Sequence, residues 1–90
     1  MKIAEVANMN VEITDHFKER IESRNINIDS VLYSLNEKRS ILKYYNNTGL
    51  ELCYNAGRLA FFFEVREGKI VLITALDKHA VHIKKGTVII

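Results

Sequence analysis

The chain lacks several residue types and patterns, and each absence narrows the kind of protein it can be. Among its 90 residues there is no proline and no tryptophan, and there are only four glycines and one cysteine, Cys53. A single cysteine rules out an internal disulfide and disfavours a zinc ribbon, which needs several thiolates. No segment approaches the roughly 18 consecutive apolar residues of a membrane span, and no secretory leader pattern is present. We expect action in the cytoplasm without membrane contact, although a domain excised from a longer secreted protein would look the same.

The residues that are present favour one globular domain. Apolar residues make up 48% of the chain and charged residues 27%, and there is no repeat or low-complexity segment. Residues 1–37 carry four basic and seven acidic side chains, whereas residues 38–90 carry nine basic and four acidic ones, for a net charge of +2. We predict a single domain over residues 1–90, whose positive second part is compatible with a polyanionic partner without requiring one.

Apolar spacing predicts two helices in the first half. The first runs from about Thr14, a plausible cap, to Arg24-Asn25, because apolar side chains recur at helical spacing between these ends. The second lies between Asn27 and Asn36, where residues 28, 31, 32 and 35 are apolar. Ahead of both helices, Lys2 to Glu12 alternates weakly and reads as a strand or an extended lead-in.

From Ser40 onward the period changes to two, which predicts strands joined by short turns with glycine. Short turns force neighbouring strands to run antiparallel. We therefore predict an α+β fold in which two N-terminal helices pack on a curved antiparallel β-meander of four to five strands. The expected strands are Ser40–Asn46, Leu50–Asn55, Arg58–Arg66, Lys69–Leu76 and Thr87–Ile90.

The first predicted helix has an unusual arrangement of charge. His16, Arg20 and Arg24 follow one another at spacings of four, within or beside its apolar stripe. A guanidinium next to a core is costly unless it is paired or points into a cleft. Histidine suits proton transfer near neutral pH, and arginine forks onto phosphate oxygens. The row predicts an anion or RNA site, but the arginines can equally pair with Glu51 or Glu64 on the sheet.

Further candidates follow the last long strand. Lys78, His79 and His82 lie just after Lys69–Leu76, where they can act in acid–base chemistry or substrate binding or simply be exposed loop residues. In a strand, a spacing of three puts His79 and His82 on opposite faces, which argues against a shared metal. We expect no metal or other cofactor.

Two uncharged residues complete the candidate set. Thr74 interrupts the apolar run of its strand, either as an orienting hydroxyl or as an ordinary β-forming residue. Tyr45, like its neighbour Tyr44 and like Tyr54, can stack on a base, although strand aromatics more often pack in or at the edge of a core.

The segment from Thr14 to about Asp77 resembles a small bacterial family known as domain of unknown function 4258. The family pattern is a histidine that opens a helix, an arginine four residues on, a second arginine before an Asn/Gly-Ile turn, a short second helix and a closing Ile-Thr. The matching residues are His16, Arg20, Arg24, Asn25-Ile26, Val31 to Leu35 and Ile73-Thr74.

That family is similar to the RelE/ParE-like toxins and to the wider group of barnase, EndoU, colicin ribonucleases and RelE. The resemblance implies a metal-free ribonuclease toxin, often the carboxy-terminal domain of a polymorphic toxin, which a dedicated immunity or antitoxin protein neutralises. It also implies that His16, Arg20 and Thr74 are site residues. His79 lies just beyond the matched segment. Because the chain is less basic than many ribosome-dependent RelE-like nucleases, tRNA or another structured RNA is the expected substrate.

Two kinds of function remain open on this sequence. In an endoribonuclease, His16 and His79 or His82 exchange protons, Arg20 and Arg24 hold the phosphate, and Thr74 orients the groups. In a binding module without catalysis, the same arginines grip a partner, as in an antitoxin-type protein or a ParE-like inhibitor of a topoisomerase.

Overall fold

The structure, a computed structural model, describes residues 2–56, 59–76 and 83–90. Lys2 to Ile13 forms a β-hairpin of two strands, β1 (Lys2–Val6) and β2 (Met9–Ile13). Ala7 and Asn8 both have positive φ, 54° and 63°, as the two central residues of a type I′ turn require. The weakly alternating lead-in of the sequence is therefore a hairpin.

Two helices follow where apolar spacing predicts them. Helix α1 (Asp15–Ser23) is capped by Thr14, and the left-handed residue Asn25, with φ of 52°, follows its C-terminal end. Helix α2 (Ile28–Glu37) is capped by Asn27, whose Oδ1 accepts the Asp29 N–H at 2.9 Å.

The predicted strand Ser40–Asn46 is wrong, because this segment is helical. It contains a short helix, α3 (Arg39–Leu42), and a 3₁₀ turn over Lys43–Tyr45. Leu42 is buried and Tyr45 packs against the core three residues later, while Ile41 and Tyr44 are exposed. That spacing is helical, and the β preference of isoleucine and tyrosine is overridden by the burial of Leu42.

The molecule is α+β, but the predicted antiparallel meander is wrong because the sheet is mixed. Strands β3 (Leu52–Ala56), β4 (Leu59–Arg66) and β5 (Lys69–Leu76) are antiparallel neighbours. Strand β2 pairs with β5 in parallel, and the short β6 (Val88–Ile89) pairs with β3 in parallel. Short turns fix the direction of consecutive strands only, and long connections leave the other pairings open. The order in the sheet of six strands is β1-β2-β5-β4-β3-β6.

One face of the sheet carries the hydrophobic core. Phe17 of α1 is fully buried, and so are alternate residues of the two central strands, including Phe61, Phe63 and Leu72. Helices α1 and α2 supply Phe17, Val31 and Leu35 to this face. The opposite face is also buried at Cys53, Ala60, Phe62 and Val71, so the strand ends are the places where polar residues can form a site.

Candidate functional site

An open cleft of about 440 Å³ lies where the C-terminal end of β5 meets the start of α1. Its polar lining comes from α1, from β5, from the residue before β3 and from the segment before β6. Its apolar floor comes from β4 and β5. The lining residues are His16, Arg20, Glu51, Phe62, Ile73, Thr74, Leu76 and Lys84.

The cleft exists because β5 continues beyond the end of its pairing with β2. β2 pairs with β5 only as far as Ile13 and Leu72, so the last four residues of β5 have no β2 partner. At that point the chain leaves β2 and begins α1. The Thr14 N–H donates to the Leu72 carbonyl at 3.1 Å, and the Thr14 hydroxyl donates to the Ile73 carbonyl at 2.9 Å. These bonds hold the first turn of α1 beside the free part of β5.

A β-bulge at Ile73 turns Thr74 away from the core. Leu72 pairs with Phe63, but Thr74 pairs with Phe62, so Ile73 is the extra residue. Without a bulge, Thr74 would share the buried face of Leu72, because side chains alternate along a strand. With it, the fully buried Ala75 takes the core position, and Thr74 joins Phe62 in the cleft lining.

His16 and Arg20 face each other one helical turn apart. The Arg20 Nε–H donates to His16 Nε2 at 3.4 Å, which is long for a hydrogen bond and therefore weak. In this contact His16 Nε2 is the acceptor. Among the described residues, the ion pairs are Lys2–Glu5, Glu64–Arg66 and Glu12–Lys69, and none includes Arg20. Its terminal N–H groups are thus available to an anion in the cleft.

Glu51 and Lys84 reach the cleft through the pairing of β6 with β3. The Val88 N–H donates to the Glu51 carbonyl at 2.9 Å, and the Thr87 N–H donates to the Lys84 carbonyl at 3.2 Å. These backbone bonds bring the segment before β6 alongside the start of β3. Among the residues that the structure describes, the cleft therefore combines two cations, one carboxylate and one imidazole.

Cys53 lies near this site but is not a nucleophile. Its side chain is fully buried. Burial raises the pKa of the Cys53 thiol above its ordinary value, and the negative charge of Glu51 raises it further. A thiol that stays protonated at neutral pH is inert.

The structure brings together three of the predicted site residues, His16, Arg20 and Thr74. Arg24 is half-buried at the C-terminal cap of α1 and is not among the described residues that line the cleft. Tyr45 packs against the core and makes an edge-to-face contact with Tyr44, with ring centroids 5.3 Å apart. Lys78, His79 and His82 lie outside the described residues.

Sequence reasoning missed two charged residues of the cleft. From the sequence, Glu51 was considered only as an ion-pair partner of an arginine, and Lys84 was not considered. Nothing in the local pattern around Lys84 distinguishes it from Lys85, because its place follows from the parallel pairing of β6 with β3. Phe62 was predicted as part of the strand Arg58–Arg66, and it lines the floor of the cleft.

Within the described ranges, no group of three or more His, Cys, Asp or Glu side chains has the arrangement of a metal site. No helix among the described residues has the length and apolar character of a membrane span. Comparison with known proteins finds no match for this chain among family models, curated proteins or solved structures.

Proposed function

We propose that the protein is a metal-independent endoribonuclease whose active site is the cleft between α1 and the end of β5. The observation that carries the proposal is the arrangement of His16 and Arg20, which are in contact at 3.4 Å and share one cleft with Thr74 and Lys84. An imidazole beside cationic donors supplies the proton acceptor and the phosphate ligands that RNA cleavage needs.

The reaction is a transphosphorylation within the RNA chain. The ribose 2′-hydroxyl replaces the Arg20 Nε–H at His16 Nε2, which takes the hydroxyl proton, and the 2′ oxygen forms a bond to phosphorus. The bond from phosphorus to the 5′ oxygen of the next nucleotide breaks, and that oxygen receives a proton from the Lys84 ammonium. The products are a 2′,3′-cyclic phosphate and a 5′-hydroxyl end. The two protonation states are restored by exchange with water.

Arg20 and Thr74 act on the phosphate. Arg20 presents its two terminal nitrogens to the non-bridging oxygens as a planar fork. The Thr74 hydroxyl, turned into the cleft by the bulge, orients one of these oxygens. Phe62 and Leu76 on the floor provide an apolar surface for the ribose or base.

The positive charge of residues 38–90, nine basic against four acidic side chains, supports a structured RNA such as tRNA as the substrate. We further propose that the protein acts as a toxin in the cytoplasm and that a cognate inhibitor protein neutralises it by covering the cleft. His79 and His82 stay candidates from the sequence for a second proton-transfer group.

The test is cleavage of purified tRNA by the wild-type chain in the presence of EDTA. We expect 2′,3′-cyclic phosphate ends and no cleavage of the matching 2′-deoxy oligonucleotide. His16→Ala should lower the rate at least 100-fold, since general-base catalysis is worth about 10² to 10⁴. Arg20→Lys should lower it about 10- to 100-fold, because lysine keeps the charge but lacks the Nε–H and the fork.

Two control variants separate the site from general damage. Lys18→Ala removes an exposed cation from α1, and Arg66→Lys changes an exposed arginine of β4, so both should cleave at the wild-type rate. Full activity of a folded His16→Ala variant would show that His16 is not the general base. Binding of tRNA without any product would point to a non-catalytic module.

A further inference from the structure

Two tyrosines of the helical layer are exposed far beyond what folding requires. Tyr33 of α2 is 66% exposed, and Tyr44 of the 3₁₀ turn is 80% exposed, more than any other large hydrophobic side chain that the structure describes. Tyr44 contacts Tyr45 at an interplanar angle of 81°, so a partly buried neighbour braces its ring. Large exposed aromatic groups on a small protein mark surfaces that bind another molecule.

The two tyrosines belong to one surface that crosses the junction of α2 and α3. Tyr33 lines a shallow depression of about 410 Å³ together with Asn36, Glu37, Arg39 and Ser40. Tyr44 follows Ser40 by four residues on the helical stretch that α3 and the 3₁₀ turn form, and both side chains are exposed. We define the tyrosine patch as Tyr33, Arg39, Ser40, Lys43 and Tyr44, all of which are exposed.

The charge around the patch is positive. Residues 36–45 contain Lys38, Arg39 and Lys43 against a single acidic residue, Glu37. Exposed aromatic rings interleaved with cations are the chemistry by which proteins hold single-stranded nucleic acid, because bases stack on the rings and phosphates pair with the cations. An acidic protein would satisfy the cations but would not require two open aromatic faces.

The tyrosine patch and the described lining of the cleft share no residue. Asn46 and Asn47, which follow Tyr45, bind the turn between β4 and β5. The Asn46 Oδ1 accepts the Gly68 N–H at 3.1 Å, and the Asn47 Oδ1 accepts the Glu67 N–H at 2.7 Å. Thr74 lies six residues farther along β5, which corresponds to about 20 Å at the rise of a strand. None of the patch residues is among the described residues that line the cleft.

We propose that the tyrosine patch is a second RNA-binding surface that holds an unpaired segment of the substrate by stacking. This inference rests on the proposed function for the identity of the ligand, but it concerns different residues. It assigns to Tyr33 and Tyr44 the role of stacking platforms and to Arg39 and Lys43 that of phosphate contacts.

The test measures binding of a fluorescein-labelled polyuridine oligonucleotide to the full chain by anisotropy, in a His16→Ala background so that the RNA stays intact. Tyr33→Ala together with Tyr44→Ala should weaken binding at least about 30-fold, because each base-stacking aromatic contributes about 5- to 100-fold. Tyr33→Phe together with Tyr44→Phe should retain it, because phenylalanine stacks equally well. Ile89→Ala, which removes another exposed apolar side chain, is the matched control.

The outcomes separate this inference from the proposed function. Unchanged polyuridine binding by the double alanine variant overturns the inference, and so does an equal loss in the double phenylalanine variant. Loss of binding to polyglutamate but not to polyuridine overturns it in favour of an acidic protein partner. With His16 intact, the chain should cleave a dinucleotide at the same rate whether or not the tyrosines are changed. If the chain with wild-type tyrosines does not cleave the dinucleotide, the proposed active site in the cleft is wrong instead.

Discussion

At the residue scale, Thr14 couples the first turn of α1 to the strand that carries Thr74. Its hydroxyl accepts the Phe17 N–H at 3.0 Å and donates to the Ile73 carbonyl at 2.9 Å, and its own N–H reaches Leu72. One side chain thus caps the helix and fixes it beside the bulge. His16 lies two residues later, so the position of its ring depends on these bonds.

Thr14→Val should therefore destabilise the protein and misplace His16. Valine keeps the shape of threonine but provides neither the acceptor nor the donor, and loss of such a cap costs about 1–2 kcal/mol. We expect that decrease in the free energy of unfolding in urea and a fall in kcat for tRNA cleavage with a smaller change in KM.

Thr14→Ser is the control for this substitution because serine retains both hydrogen bonds. It should restore kcat and most of the stability. A Thr14→Val variant that is destabilised but keeps the wild-type kcat would show that Thr14 serves the fold alone.

At the scale of elements, the turn between β4 and β5 depends on the loop before β3. Glu67 and Gly68 have positive φ, 52° and 69°, as a type I′ turn requires. Asn47 Oδ1 accepts the Glu67 N–H at 2.7 Å, and the Asn47 N–H donates to the Val65 carbonyl at 2.9 Å. Asn47 itself has φ of 61°, which asparagine tolerates better than most residues.

Asn47→Ala should lower the free energy of unfolding without affecting catalysis. It removes the side-chain acceptor and puts alanine in the left-handed region, for a combined cost of about 1–3 kcal/mol. Urea unfolding checks the stability, and tRNA cleavage under native conditions should match the wild type. Asn47→Gly relieves the backbone strain but still lacks the acceptor, so its free energy of unfolding should lie between those of the wild type and Asn47→Ala. Equal stability of all three chains would contradict this account of the turn.

The elements also show how far the sequence determines the site. Helix α1 was predictable because Thr14 caps it and its apolar residues keep one period, and this places His16 and Arg20 one turn apart. The presence of Thr74 in the cleft depends on the bulge at Ile73, and a bulge in an apolar run leaves no pattern. Glu51 and Lys84 depend on a parallel pairing between strands distant in sequence, which local signals do not specify. The sequence could thus predict half of the cleft.

At the scale of the whole molecule, Cys53 reports on the integrity of the sheet. It lies on β3, between Phe62 of β4 and Ile89 of β6, and it is fully buried. A reagent therefore reaches the sulfur only when the structure opens around β3.

Alkylation of Cys53 by iodoacetamide should be at least about 100-fold slower in the folded chain than in urea, in line with the population of open states. Because burial raises the pKa of Cys53, the unfolded thiol ionises first as the pH rises. The neutral thiol contributes fully to the free energy of unfolding below the ordinary pKa of a thiol. This contribution is lost as the pH rises through the raised pKa of Cys53 in the folded protein. Cys53→Ala should not show this loss. Rapid alkylation of the native protein would contradict the burial of β3.

The central claim of this account is that the cleft receives the RNA phosphate. The most direct measurement is a titration of the ¹⁵N-labelled protein with a 2′-deoxy dinucleotide, which has a phosphate but no attacking hydroxyl. We predict that the largest amide shifts occur at Arg20, Thr74 and Lys84 and that they disappear in Arg20→Ala. Shifts confined to other surfaces, or none at saturating dinucleotide, would contradict the claim.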